Sequence, residues 1–251
     1  MTPPELLLFP ISHYCEKARW ALDHHGIAHR VTNLAPGPHA PILRRLGAEG
    51  TSVPVLRTDD ALVQGSAEII DWCDAHGAEP ARTLTPAPLA EEARAIEARL
   101  DGELGVQVRR HAYSTLLGEA PAGVRRRFTS TVGPGQGLMV RLMWPMLRRV
   151  MTRAMDLGPE QRIDARDRIS AELDWLDELL VDGRPYLLGE GFTRADLTAA
   201  SLLSPVAQPP ERPAQSGEPV PASMLEDVEE WRARPAIEWA RHIYRTHRAA
   251  S

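Results

Sequence analysis

The chain has 251 residues, 43% apolar and 25% charged, ordinary proportions for a globular protein and enough length for two modest domains with separate cores. Its formal net charge of −5 excludes a global attraction to nucleic acid or to anionic membrane. No run of about 18 apolar residues is present to span a bilayer, and two cysteines outside any CxxC pair exclude a disulfide framework.

Leu6 to Phe9 is a short apolar run stopped by Pro10, the pattern of a strand buried on both faces. The spacing predicts a helix from Tyr14 to His25, with Gly26 as its exit, and a second strand over Ile27 to Asn33. After Pro36-Gly37-Pro38, a short helix is expected around Pro41 to Leu46. Val53 to Leu56 and Ala61 to Val63 read as strands, and Gly65-Ser66 opens a helix reaching His76. Residues 78–90 hold three prolines and read as a linker.

Everything beyond is expected to be helical. One helix is predicted from Leu89 to Tyr113 and a second from Val124 to Met155, with breaks offered at Gly133-Pro134-Gly135 and at Pro145. Pro159 to Val181 carries Ile169, Leu173, Leu176 and Leu180 three or four residues apart. Helices over Thr193 to Ser204, Ser223 to Arg232 and Pro235 to Arg248 complete the chain, with a proline-rich loop at Gln208 to Pro221.

Four segments carry candidate chemistry. Ser12 to Arg19 sits between a buried strand and a helix start, where free N–H groups and the helix dipole favour an anion. A serine there does not ionise, but its hydroxyl can donate to the thiolate of a bound thiol; the plainer reading is a helix cap. Thr51 to Leu56 places Pro54 at a strand start. A cis Val53–Pro54 bond would turn the Val53 N–H and C=O outward to pair with a peptide-like ligand, whereas an ordinary edge proline would not. In Gln64 to Ile69, Ser66 can hold a carboxylate at a helix start or simply cap it. Thr193 to Leu197 is a capping box with Asp196 in place of Glu and reads as structural.

In this order and spacing the four segments resemble the glutathione S-transferase superfamily along nearly the whole chain. Ser12 to Arg19 is similar to the family's Ser-x-x-x-x-(Arg/Lys) signature, with Ser12 at the catalytic serine position. Val53-Pro54 matches the cis-proline whose preceding residue pairs with the cysteinyl unit of glutathione. Ser66 and Ile69 match the Glu-Ser-x-x-Ile segment that holds the γ-glutamyl end. The resemblance implies an α/β thioredoxin-like domain at 1–78, a linker at 79–90 and an all-α domain at 91–251 with a hydrophobic co-substrate pocket.

It further implies a detoxification-type transferase that takes glutathione as co-substrate, without a metal. Ser12 would stabilise the thiolate, and Val53, Pro54, Gln64, Gly65 and Ser66 would bind glutathione, which attacks a small hydrophobic electrophile. A homodimer is implied, and the composition and the N-terminal residues suit a cytoplasmic protein. The chain departs from the pattern at three places. Gly65 stands where the family has Glu or Gln, with Gln64 one position earlier as the alternative supplier of an amide. Ser52 replaces a frequent Lys or Gln, and His13 a frequent proline.

Cys15, where thioredoxins place their second cysteine, reads as structural rather than redox-active, and Cys73 as core. His24, His25, His29 and His39 have no metal-ligand spacing. From 124 to 155 the chain carries seven arginines, no acid and many apolar residues, Met and Trp among them. Such a segment can lie on an anionic membrane or meet a partner, and the second functional reading is an interaction protein that works through it. The resemblance favours a role in the core and the apolar pocket.

Overall fold

The computed structural model describes residues 2–212 and 219–248. The first 76 residues alternate short apolar strands with helices: β1 Glu5–Leu8, α1 His13–His24, β2 Arg30–Asn33, α2 His39–Leu46, β3 Val55–Arg57, β4 Leu62–Gln64 and α3 Ser66–His76. The sheet order is β2-β1-β3-β4, with β1 parallel to β2 and antiparallel to β3, and β3 antiparallel to β4. This is a thioredoxin-like sheet domain. It begins β2 three residues later than the pattern suggested. Ile27 N–H is taken by the Leu22 carbonyl as the chain leaves α1 through Gly26 at φ +64°, and pairing resumes only at Arg30. Likewise β3 starts at Val55, because Pro54 has no N–H to give a ladder.

The remainder is mostly helical: α4 Ala90–Gly102, α5 Leu104–Glu119, α6 Pro121–Thr129, α7 Pro134–Ala154, α8 Pro159–Leu179, α9 Arg194–Ala207, α10 Ala222–Trp231 and α11 Pro235–His247. The single helix expected over Leu89 to Tyr113 is two helices, parted at Glu103, with α5 running on to Glu119. At that joint Tyr14 Oη donates to the Asp101 carbonyl at 2.6 Å, and a Cβ on Gly105 would come within 2.4 Å of the same oxygen. The close approach of α1 therefore occupies the groove at the joint. The break offered at Gly133-Pro134-Gly135 separates α6 from α7, but α7 passes through Pro145 unbroken. Pro145 and Arg141 are exposed, so water can serve the Arg141 carbonyl that loses its helical donor. Of the loop expected at Gln208 to Pro221, residues 213–218 lie outside the described residues.

The main core runs through both parts, from Leu6, Leu56 and Ile69 to Leu104, Leu173 and Leu203. A buried ion network crosses the same junction. Lys17 Nζ meets Glu97 at 2.8 Å and Asp101 at 2.7 Å, and Arg194 meets Glu97 and Asp71, each at 2.5 Å. Lys17 and Arg194 are almost fully buried, so removing one partner would strand a charge, which typically costs about 3–5 kcal/mol. Asp196 accepts from the N–H groups of Thr193 and Leu187 at 2.8 and 2.7 Å, which fixes the start of α9 beneath this junction.

Candidate active site

Strand register gathers the candidate residues at one end of the sheet. Leu7 pairs with Val55 and Val55 with Gln64, so two residues further along Phe9, Val53 and Ser66 come side by side. Ser12 follows three residues after Phe9, with its N–H bonded to the Phe9 carbonyl at 3.0 Å. The N-termini of α1 and α3 therefore both open at this end, each with free N–H groups and positive dipole charge.

Ser12 is the N-cap of α1. Its Oγ accepts from Cys15 N–H at 3.3 Å, and its hydroxyl can donate to the Cys15 sulfur, a weak acceptor. Cys15 is buried, and burial pushes its thiol up to about 11, outweighing the hydrogen bonds that the Ser12 side chain and the Phe9 backbone offer it. At neutral pH Cys15 is thus a thiol, a poor nucleophile. His13 is buried against α5, with Nε2 3.0 Å from the Gly105 carbonyl. Burial, helped by the charges of Arg212 and Arg109, lowers its pKa to about 3, so the ring is neutral and carries its proton on Nε2 to make that bond.

The Val53–Pro54 peptide is cis, as the sequence suggested. Neither the N–H nor the C=O of Val53 pairs with another described residue, whereas the Pro54 carbonyl accepts from Gly65 N–H at 3.0 Å. Ser66 is buried at 7% exposure, yet its hydroxyl has no partner among the described residues. Gln64 is otherwise engaged: its amide donates to the Ser52 carbonyl at 2.8 Å and accepts from Gly50 N–H at 3.2 Å, bracing the loop before β3. Gly65 has φ +118°, and a Cβ there would fall 1.9 Å from Glu68 Oε2. The Glu68 carboxylate therefore lies where a side chain at 65 would begin. Reading by position overlooked Glu68, although its place in the first turn of α3 was the available signal.

Residues 6–81, spanning the sheet and α3, match the family model described as the glutathione S-transferase N-terminal domain. Those residues are thus similar in sequence to a glutathione S-transferase N-terminal domain. No curated protein matches it. Among solved structures, a glutathione transferase of Phanerochaete chrysosporium is similar at 17% identity and TM-score 0.67, with 100% of each chain covered. A glutathione S-transferase of Ceriporiopsis subvermispora, in complex with glutathione, is similar at 16% identity and TM-score 0.62, covering 100% of this chain and 99% of that one. A beta-etherase of Sphingobium is similar at 18% identity and TM-score 0.60, covering 95% and 98%. At these identities the likeness speaks to the fold.

The helical side of the cleft is cationic. Gly105, Arg109 and Tyr113 follow at four-residue spacing on α5, one helix face that starts at the His13 contact. Arg109 Nε is buried without a hydrogen-bond partner. Arg212 donates to the Ile11 carbonyl at 3.0 Å, one residue before Ser12. Neither arginine was singled out from the sequence, since only packing brings positions 109 and 212 beside residue 12.

The α6–α7 hairpin docks on the loop after β2. Asn33 Nδ2 donates to the Thr131 carbonyl at 3.0 Å, Gln136 accepts from Ala35 N–H at 3.1 Å, and Leu147 abuts Gly37. Val140, Trp144 and Leu147 are buried there with Ala35, Leu117 and Phe128. The Met and Trp side chains expected around an apolar pocket are thus divided: Trp144 fills this small core, while Met139 and Met146 face outward. A cavity of about 170 Å³ beside α1 is lined by Phe9, Cys15, Arg19, Asn33 and Thr131, among others, and by none of Ser12, Val53 and Ser66. Among the described residues no His, Cys, Asp and Glu cluster is placed to hold a metal, and no helix is long and apolar enough to cross a membrane.

Proposed function

We propose that the chain is a glutathione transferase-type enzyme in which Ser12 activates the thiol. The observation that carries this reading is the Ser12 hydroxyl: its oxygen is engaged by Cys15 N–H, the Cys15 sulfur within its reach is only a weak acceptor, and it stands at the sheet end that presents the open Val53 backbone and the unpaired Ser66 hydroxyl. Glutathione fits these groups. Val53 would pair with the cysteinyl unit as an added strand, and the Pro54 and Gly65 backbones shape the rim. Ser66, with the free N–H groups of α3, would take the γ-glutamyl carboxylate. Glu68, lying over Gly65, would meet the ammonium. Gln64 acts by holding the 50–52 loop in place.

The bound thiol loses its proton to water. A hydrogen bond from Ser12, with Arg212 and Arg109 adding positive charge, favours the thiolate. The thiolate then attacks the electrophile, forming a carbon–sulfur bond as the leaving group departs with its electron pair. Residues 1–78 would supply the thiol site, 79–90 the connection and 91–251 the wall for a small hydrophobic electrophile. Two copies would pair as a homodimer with their helical parts at a shared cleft. The test is retention on a glutathione resin with elution by free glutathione, followed by turnover of a chromogenic aryl halide. Failure of both would remove the reading.

A further inference from the structure

We propose that the outer face of α7 is a docking surface for an anionic lipid bilayer. This proposal is independent of the thiol chemistry. Leu138, Leu142, Met146 and Val150, four residues apart, form one stripe along the helix and are 58, 74, 50 and 55% exposed. The opposite face is already used, with Val140, Trp144 and Leu147 buried in the hairpin core. A continuous aliphatic stripe of this kind on a soluble surface marks a contact site.

Charge selects the occupant. Arg141, Arg148, Arg149 and Arg153 lie on or beside the stripe, all exposed, and among the described residues none is ion-paired. Elsewhere arginines find acids: on α8, Arg162, Arg166 and Arg168 pair with Asp227, Glu230 and Asp164. No Asp or Glu occurs from 124 to 155 to neutralise α7. Arginines alternating with leucine and methionine suit an interface where the aliphatic stems enter the acyl boundary and the guanidinium groups reach phosphates. The 21 residues of α7 give about 30 Å of helix to lie in the membrane plane. Pro145, on the exposed side, leaves the Arg141 carbonyl without its helical donor, which a hydrated headgroup layer tolerates and a hydrocarbon core does not.

The other occupants fit less well. Two copies meeting face to face about a twofold axis would set these arginines against their own counterparts with no acid between them. Nucleic acid would use the arginines but leave the aliphatic stripe in water.

The test is co-sedimentation of the full chain with phosphatidylcholine vesicles, with and without phosphatidylglycerol, at low and high salt. The expected result is at least tenfold tighter binding to the phosphatidylglycerol vesicles, weakened by salt. Combining Leu142→Glu with Met146→Glu should reduce that binding at least tenfold at an unchanged thermal midpoint. Arg148→Gln with Arg149→Gln and Arg153→Gln should abolish the preference for the anionic lipid. Equal binding to both vesicles, binding to neither, or indifference to the glutamates would overturn the proposal. It would also be overturned if the glutamate variant split a dimer in light scattering, since the face would then belong to a second copy.

Discussion

Two helices begin at the same end of the sheet, each with a serine, and the two serines are held differently. At α1 the Ser12 oxygen caps the helix by accepting from Cys15 N–H, so the hydroxyl is held by the backbone. At α3 the cap position is Gly65, without a side chain, and Ser66 is buried with its hydroxyl unpaired. The first arrangement is complete as a helix cap, and on the proposed function it would also stabilise charge on a bound thiol. The second has no partner among the described residues, and on the proposed function a ligand would supply one. The difference teaches that a helix-start serine is not one kind of feature. Capping geometry separates the two hydroxyls, and the activating and binding roles proposed for them can be tested against each other.

The largest expected effect sharpens the α1 side. His13 is neutral in the fold down to about pH 3, whereas an unfolded histidine titrates near 6.5. Below 6.5 the unfolded chain binds a proton that the folded one refuses. The stability due to His13 is therefore complete above 6.5 and is lost as pH falls toward 3, by up to about 1.4 kcal/mol per pH unit. Urea midpoints measured between about pH 7 and pH 4 should fall steeply for the natural chain and less so for His13→Asn. Parallel pH profiles would detach His13 from the rigidity of α1.

Ser12→Ala comes next. It should slow thiol transfer at neutral pH by roughly tenfold or more, equivalent to about 1.4 kcal/mol, and the rate should recover at high pH, where the thiol ionises unaided. Stability should drop by only about 1 kcal/mol, the cost of a lost cap. Cys15→Ala should leave the rate nearly intact, because its thiol is protonated and acts through packing. A dead Cys15→Ala beside an active Ser12→Ala would reverse the two roles.

On the α3 side, Gly65→Ala should cost about 1–2 kcal/mol of stability, since a Cβ at φ +118° is strained and must displace the Glu68 carboxylate. Thermal melts check the cost, and a raised KM for glutathione would tie Glu68 to the ligand. Ser66→Ala is the mildest change. It should raise KM for glutathione about threefold to tenfold, as for one lost hydrogen bond, with little change in kcat or stability because the hydroxyl has no partner within the chain. If Ser66→Ala lowered kcat and Ser12→Ala raised only KM, the contrast between the two helix starts would be inverted.

Much of this protein was legible in its sequence for local reasons. Apolar runs of strand length, Gly26 at a helix exit, the proline at 54 and the Thr193–Asp196 cap each act within a few residues, so they announced the order of strands and helices and the two helix-start serines. Contacts between distant segments carry no such signature. That Gln64 turns to the 50–52 loop, that Glu68 fills the space over Gly65, and that the 90–119 stretch parts at Glu103 against Tyr14 depend on what packs alongside. The sequence of α7 likewise showed arginines and aliphatic residues together. Only the docking of its inner face on Ala35 and Gly37 decided which of them are core and which are left outside, because a helix of 3.6 residues per turn has no inside until a neighbour supplies one.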